Sequence, residues 1–379
     1  MDHHATTAVE PRVLARMLPY FCEKFGNAAS RSHAFGWQAE EAVEVARGEV
    51  ATLIGAHPTE IVFTSGATEA NNLALSGIVA AYVKRGDHVV TQATEHKAVL
   101  DVLLALERRG EAHVTVLPVD EYGVVSPEAV AAACTERTVL VSIMAANNEV
   151  GTLQPLAQLG AVCRAKGALL HCDAAQALGH VAFNVEAHNV DLASFSAHKL
   201  YGPKGVGALY VRRKAPRVSL LPILHGGGHE RGLRSGTLNV PGIVGFGAAA
   251  ALARLEGEAE AAREVELREA LRDAIMRGLD GVHCNGHPTA RLPGNLSLSF
   301  ADLEADALLL SLRDVALSSG SACTSVTLEP SHVLRALGVP PALAAGTIRF
   351  GIGRSNTREH VDYVATAVIA AVTKLRALR

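Results

Sequence analysis

The chain has 379 residues, 49% of them hydrophobic, enough to bury a large core and to form two or three domains. Only 4% are aromatic, so aliphatic and alanine-rich packing has to fill that core. A formal charge of −3 with no basic run argues against a nucleic-acid or anionic-membrane surface.

Met1-Asp2-His3-His4 opens polar, and apolar windows such as Val244 to Leu252 are too short to span a bilayer, so a cytoplasmic protein is expected. Cys22, Cys134, Cys163, Cys172, Cys284 and Cys323 form no C-x-x-C pair, and the histidines lack ligand spacing, so neither disulfides nor a metal is expected.

From about Val13 to Gly205, short apolar runs alternate with amphipathic stretches, which predicts βαβ units and a mostly parallel sheet. Glu60 to Thr64 reads as a strand, Ser65-Gly66-Ala67-Thr68 as a tight turn, and Glu69 to Leu75 as the helix it opens. Backbone N–H groups there can hold an anion, with Thr68 adding a hydroxyl. The same pattern also suits an ordinary helix start capped by Ser65 or Thr68. After the strand His88 to Thr91 and a Thr94-Glu95 turn, His96 can reach a crevice at the strand ends, although a lone histidine is usually structural.

Helices are expected over Ala129 to Cys134 and Leu156 to Lys166, with a strand over Val139 to Ile143 between them. Asp173 closes the run Leu169-Leu170-His171-Cys172. A carboxylate at the inner end of a buried strand needs a cation or donors, and a pyridinium nitrogen would serve; a helix N-cap is the plainer reading. Lys199 ends the run that starts at Val190, before the turn Tyr201 to Gly205 and a further strand, Val206 to Val211. An amine among apolar neighbours can be partly neutral and condense with an aldehyde, which suggests a Schiff-base lysine; a solvated turn lysine is the alternative. Together, Lys199, Asp173 and the phosphate cradle fit pyridoxal phosphate.

Pro222 to Pro241 reads as a loop region, Ile243 to Leu279 as a long helical stretch, Asn295 to Phe300 as a half-buried strand, and Leu303 to Leu312 as helical. A second, smaller α/β domain accounts for this half. Cys323 sits in Ser318-Ser319-Gly320-Ser321-Ala322-Cys323-Thr324-Ser325, whose small polar residues cannot pack a core, so its thiol is expected to be an accessible nucleophile. Cys134 and Cys163 read as buried small hydrophobes. Arg349, inside Thr347 to Gly351, is either a snorkelling edge arginine or a bidentate grip for an amino-acid carboxylate. The glycine clusters at Gly226 to Gly228 and Gly202 to Gly205 lack the spacing of nucleotide loops.

These motifs together resemble the cysteine desulfurases of the class V aminotransferase group, in the branch serving iron–sulfur cluster assembly and nitrogenase maturation. The resemblance runs from Asp2-His3-His4-Ala5-Thr6-Thr7 almost to the C-terminus. It is carried by Phe25-Gly26-Asn27, Phe63 to Thr68, Thr94 to Val99, Asn147 to Gly151, Asp173 to Gln176, Ser194 to Gly205, Gly226 to Gly232, Arg234 to Thr237 and Ser318 to Ser325.

The resemblance implies an α/β, fold-type I pyridoxal-phosphate-dependent transferase. Its large domain, 11–255, would hold a mostly parallel sheet of the seven-stranded type, and 1–10 with 256–379 would form a small discontinuous α/β domain carrying the Cys323 loop. It implies conversion of L-cysteine to L-alanine, with Lys199, His96 and Cys323 catalytic and the sulfur held as a persulfide on Cys323. His96 would stack on the cofactor ring, Asp173 would hold its nitrogen and Gln176 its phenolic oxygen. Asn148 would touch both ring and substrate, and Arg349 would bind the substrate carboxylate. Ala67, Thr68, Ser196 and His198 would surround the phosphate, with Thr237 reaching the phosphate of a partner subunit in a homodimer. A sulfur-acceptor protein, such as an iron–sulfur scaffold, would receive the sulfur, although the chain stops at Arg379 without the tail that many relatives use for docking. A selenocysteine lyase or aminotransferase of the same fold is the alternative.

Overall fold

The computed structural model describes residues 1–319 and 331–378. Its larger sheet contains seven strands: β1 (Ile61–Thr64), β2 (His88–Gln92), β3 (His113–Leu117), β4 (Thr138–Ser142), β5 (Leu169–Asp173), β6 (Leu192–Ser196) and β7 (Gly207–Val211). Their spatial order is β1-β7-β6-β5-β4-β2-β3. The β3-β2-β4-β5-β6 pairs are parallel, and β7 runs antiparallel to both β6 and β1, so six strands share one direction.

Helices cover both faces, which is why the inner strands are buried along their whole length. Alternation within each strand sorts the side chains. Ile61, Phe63, Val90, Val141, Leu170, Ala193 and Phe195 face the core beneath helices Ala34–Ile54 and Val240–Gly278. Val62, Val89, Leu140, Leu169, Leu192 and Leu209 face helices Ala67–Tyr82 and Lys97–Arg108.

The edge strand β1 is closed by a buried ion pair. Arg47 and Glu230 meet at 2.7 Å, Arg47 donates to the Ile61 carbonyl at 2.8 Å, and Phe63 N–H donates to Glu230 at 2.7 Å. This pins the glycine-rich Gly226 to Gly232 segment against the sheet and satisfies backbone groups that would otherwise lie open at the edge.

A second sheet consists of β8 (Val282–Asn285), β9 (Asn295–Phe300), β10 (Ser318–Ser319) and β11 (Thr347–Gly351), antiparallel in the order β10-β11-β9-β8. Leu296, Leu298, Phe300, Ile348 and Phe350 pack against helix Arg358–Ala377 and the later turns of Val240–Gly278. That long helix therefore belongs to two cores, through Phe246 and Ala250 at one end and Leu271 and Ile275 at the other. Strand β9 is buried throughout, where its alternation predicts a half-buried strand. Its polar face is covered because its hydroxyls are paired: Asn285 donates to Ser299 at 2.8 Å, and Ser299 meets Thr347 at 2.6 Å. At the N-terminus Asp2 forms a parallel bridge with Gly351.

Candidate active site

The carboxyl ends of β1, β2, β4, β5 and β6 lie on one edge of the large sheet, where open α/β sheets hold ligands. Those ends and the segments leaving them carry the candidate residues, apart from Arg349 on β11. They line one cavity of about 810 Å³ that includes Ala67, Thr68, His96, Asn148, Asp173, Gln176, Ser196, His198, Lys199 and Arg349.

At the end of β1, helix Ala67–Tyr82 starts without a side-chain cap; its N-cap is Gly66, and neither Ser65 nor Thr68 fills that role. The first-turn N–H groups are thus not taken by a capping oxygen. The approach that places them is tight. A Cβ on Gly207 would come within 2.6 Å of Gly66 Cα and closer still to the Phe195 carbonyl, so only glycine lets β7 pass between β6 and this turn. Ser196 ends β6 and His198 follows it along the same wall, and burial beside Lys199 and Lys204 lowers His198 to about 4, leaving it neutral.

Asp173 ends β5 and is buried. Its Oδ2 accepts from Asn71 Nδ2 at 2.7 Å and its Oδ1 from Ala175 N–H at 3.0 Å. It caps no helix, and its two hydrogen-bond donors, an amide side chain and a backbone N–H, are neutral. Asn71 Oδ1 is itself buried without a partner among the described residues. A buried carboxylate held by neutral donors is suited to a cationic N–H from a ligand.

Lys199 closes a short 3₁₀ turn after β6. Its Nζ donates to the carbonyls of His4 and, at 2.8 Å, Ala5. The expectation of apolar neighbours is corrected here: the amine meets backbone oxygens because the N-terminal segment crosses the strand ends. That segment is held by Thr7 Oγ1, which accepts from Tyr201 N–H at 2.8 Å and donates to the His198 carbonyl at 2.8 Å.

Sequence reasoning missed the part played by His4. Gln176 Nε2 donates to the His4 carbonyl at 3.0 Å, and Gln176 Oε1 lies 3.2 Å from His4 Nδ1. Oε1 can only accept, so Nδ1 carries the proton and Nε2, buried and without a partner among the described residues, carries the lone pair. Burial, then Arg349 and His180, hold His4 well below the usual histidine range. No spacing rule marks this residue; only its place in the Asp2 to Thr7 segment does.

His96 caps helix Lys97–Arg108, its Nδ1 accepting from Ala98 N–H at 3.1 Å while the ring lines the cavity. The adjacent Glu95 is fully buried and raised well above the usual carboxylate range, chiefly by burial, and accepts from Met144 N–H and Gln92. Arg349 enters from the small sheet, buried on β11, and donates to the Asn148 carbonyl at 2.7 Å. Asp2 and Ser318, two further residues that the sequence reading did not single out, also line the cavity.

Thr237 is exposed and does not line this chain's cavity. Cys323 lies outside the described residues. Among the described residues, no group of three or more His, Cys, Asp or Glu side chains could hold a metal ion. No described helix is long and apolar enough to cross a membrane.

A family model, aminotransferase class-V, matches residues 1–364. Curated relatives named cysteine desulfurase IscS include one from Anaeromyxobacter sp. (strain Fw109-5), 61% identical over 99% of this chain and 93% of its own. Another, from Rickettsia bellii (strain OSU 85-389), is 51% identical over 100% of this chain and 92% of its own. Among solved structures, a NifS-like protein superposes with a TM-score of 0.91 at 40% identity, covering 98% of both chains. One described as SspA in complex with cysteine gives 0.82 at 35% identity, covering 94% of this chain and 99% of that one. The chain belongs to the class-V aminotransferase family and, within it, to the cysteine desulfurases. It is an enzyme of that family, and its seven-stranded, mostly parallel sheet is the one the resemblance implies.

Proposed function

We propose that the enzyme binds pyridoxal 5'-phosphate in the 810 Å³ cavity, converts L-cysteine to L-alanine and holds the sulfur as a persulfide on Cys323. The observation that carries this is the buried Asp173 carboxylate, which accepts from neutral donors, in the same cavity as an uncapped helix start: the first suits a cationic ring nitrogen, the second a phosphate. Lys199, Asp173, Gln176, Asn148 and His96 would hold the ring, and Ala67, Thr68, Ser196 and His198 the phosphate. When bound, the cofactor supplies an electron sink that labilises bonds at the substrate's Cα.

The protein's own residues supply the rest. Arg349 grips the substrate carboxylate. Lys199 Nζ, poised at the strand ends, moves protons at the substrate's Cα, and His96 holds or returns them. The Cys323 thiol takes the sulfur: one thiol and one cysteine become one persulfide and one alanine, so atoms and electrons balance without an external oxidant. Ser318, from the same small-residue motif as Cys323, lines the cavity, which supports this assignment.

The acceptor of the persulfide is a sulfur-carrying protein such as an iron–sulfur scaffold. The working unit is a homodimer, supported by the exposed Leu18, Phe21, Phe25, Phe35 and Trp37; Thr237 then serves the partner's phosphate site. The large domain is assigned to 11–255, and the small one to 1–10 with 256–379. A cytoplasmic location suits the five described cysteines, all free thiols.

Incubation with pyridoxal phosphate, L-cysteine and a reducing thiol, without any keto acid, should release alanine and sulfide in equal amounts. Alanine formation that requires a keto acid would contradict this.

A further inference from the structure

The three nitrogens of Arg349 are unequally served. The side chain is only 7% exposed; Nη1 donates to the Asn148 carbonyl at 2.7 Å, Nη2 donates to Asp2 Oδ1 at 3.0 Å, and Nε is buried with no partner among the described residues. The other Asp2 oxygen accepts from Ser318 Oγ at 2.8 Å. The Asp2 backbone is fixed on both sides, since His3 N–H donates to the Gly351 carbonyl at 3.1 Å and Gly351 N–H donates to the Met1 carbonyl at 2.9 Å. With its backbone held, Asp2 leaves Arg349 by turning its side chain.

A guanidinium this deep needs an anion beside it. Asp2 provides one, but through a single bond. A carboxylate presented squarely to the fork would engage two N–H groups, including the Nε–H that nothing serves. We propose that Asp2 is an internal carboxylate that occupies the substrate-carboxylate position on Arg349 between turnovers and thereby sets the affinity of the site for carboxylate ligands. The inference deepens the proposed function and rests on its reading of Arg349 as the carboxylate grip. An incoming carboxylate displaces Asp2 Oδ1 from Nη2, because two like charges on one guanidinium repel. Asp2 is thus a positioning residue: it neutralises and orients Arg349 while the site is empty, and every carboxylate ligand binds more weakly for having to displace it.

The test uses the enzyme loaded with pyridoxal phosphate and the Asp2→Asn variant, which keeps the shape and the Ser318 contact but loses the charge. KM for L-cysteine should fall about tenfold with kcat changing much less, as expected when one competing ion pair in a half-dry site is removed. Binding of 3-mercaptopropionate, which has the carboxylate and thiol but no amine, should tighten in parallel by calorimetry. Binding of cysteamine, which lacks the carboxylate, should not move. Asp2→Ala should shift the same constants in the same direction, and thermal melting confirms that each variant is folded. Unchanged or weaker 3-mercaptopropionate binding in both variants, or an equal shift for cysteamine, overturns the inference. Arg349→Ala separates the two levels: if it leaves 3-mercaptopropionate binding intact, the reading of Arg349 falls and the inference falls with it.

Discussion

Asn71 and Glu149 show how single side chains set the chemistry of this site. Asn71 donates to Asp173 at 2.7 Å inside the protein, and a hydrogen bond to a buried charge is worth roughly 1.5–3 kcal/mol. Asn71→Leu should therefore weaken pyridoxal phosphate binding by about tenfold or more, measured by cofactor titration, while the fold persists. Glu149, next in sequence to the cavity-lining Asn148, accepts from Ser331 Oγ and is pushed up to about 7 by burial, with Ser331, Arg349 and His96 opposing. Its folded pKa exceeds the unfolded value of 4.5, so its favourable contribution is complete below that value and is lost as pH rises through about 7. Glu149→Gln should melt like the parent at about pH 4 and above it at about pH 8.5, by up to roughly 3 kcal/mol in stability. An unchanged difference across that range would show that Glu149 does not titrate there.

Two contacts between elements hold the cavity wall in place. The close passage of β7 beside Gly66 positions the helix start, and Gly207→Ala would force apart Gly66 and the Phe195 carbonyl. Loss of pyridoxal phosphate binding with most secondary structure retained, by titration and circular dichroism, is the expected result. The Arg47–Glu230 pair clamps the Gly226 to Gly232 segment onto β1. Removing one partner leaves a buried charge uncompensated, so Glu230→Gln should cost roughly 3–5 kcal/mol in a denaturant melt. A loss below about 1 kcal/mol would mean the clamp is a solvated contact.

The fully buried elements were legible in the sequence because their burial is uniform. Apolar runs marked β1, β2, β4, β5, β6 and β7, and the long helix declared itself by length and composition. The edge strand β3, half exposed, has no such run and is not among the strands the sequence reading picked out. The polar face of β9 was misjudged because its cover is a hydrogen-bonded layer of Asn285, Ser297, Ser299 and Thr347, which no periodicity distinguishes from a wet surface. At the site, residues inside recognisable motifs were found. Asp2, His4 and Asn71 were missed because each acts through a partner more than 100 positions away, at separations of 347, 172 and 102.

For the whole molecule, the exposed apolar residues between Leu18 and Trp37 are too concentrated for a monomer's surface, and Phe25 and Phe35 already pack together at 5.5 Å. Sedimentation should show a dimer, and a Trp37→Glu, Phe21→Glu double variant should sediment as a monomer with weakened cofactor binding, since Thr237 is assigned to the partner's site. A parent that sediments as a monomer at micromolar concentration would contradict the dimer. The central claim concerns where the sulfur goes. The most direct measurement is the mass of the peptide containing Cys323 after one turnover with L-cysteine and no reductant. The account predicts a gain of one sulfur atom on that peptide, absent in Cys323→Ala. Sulfur found instead on Cys22 or Cys284, or alanine formed with no sulfur on the protein, would contradict it.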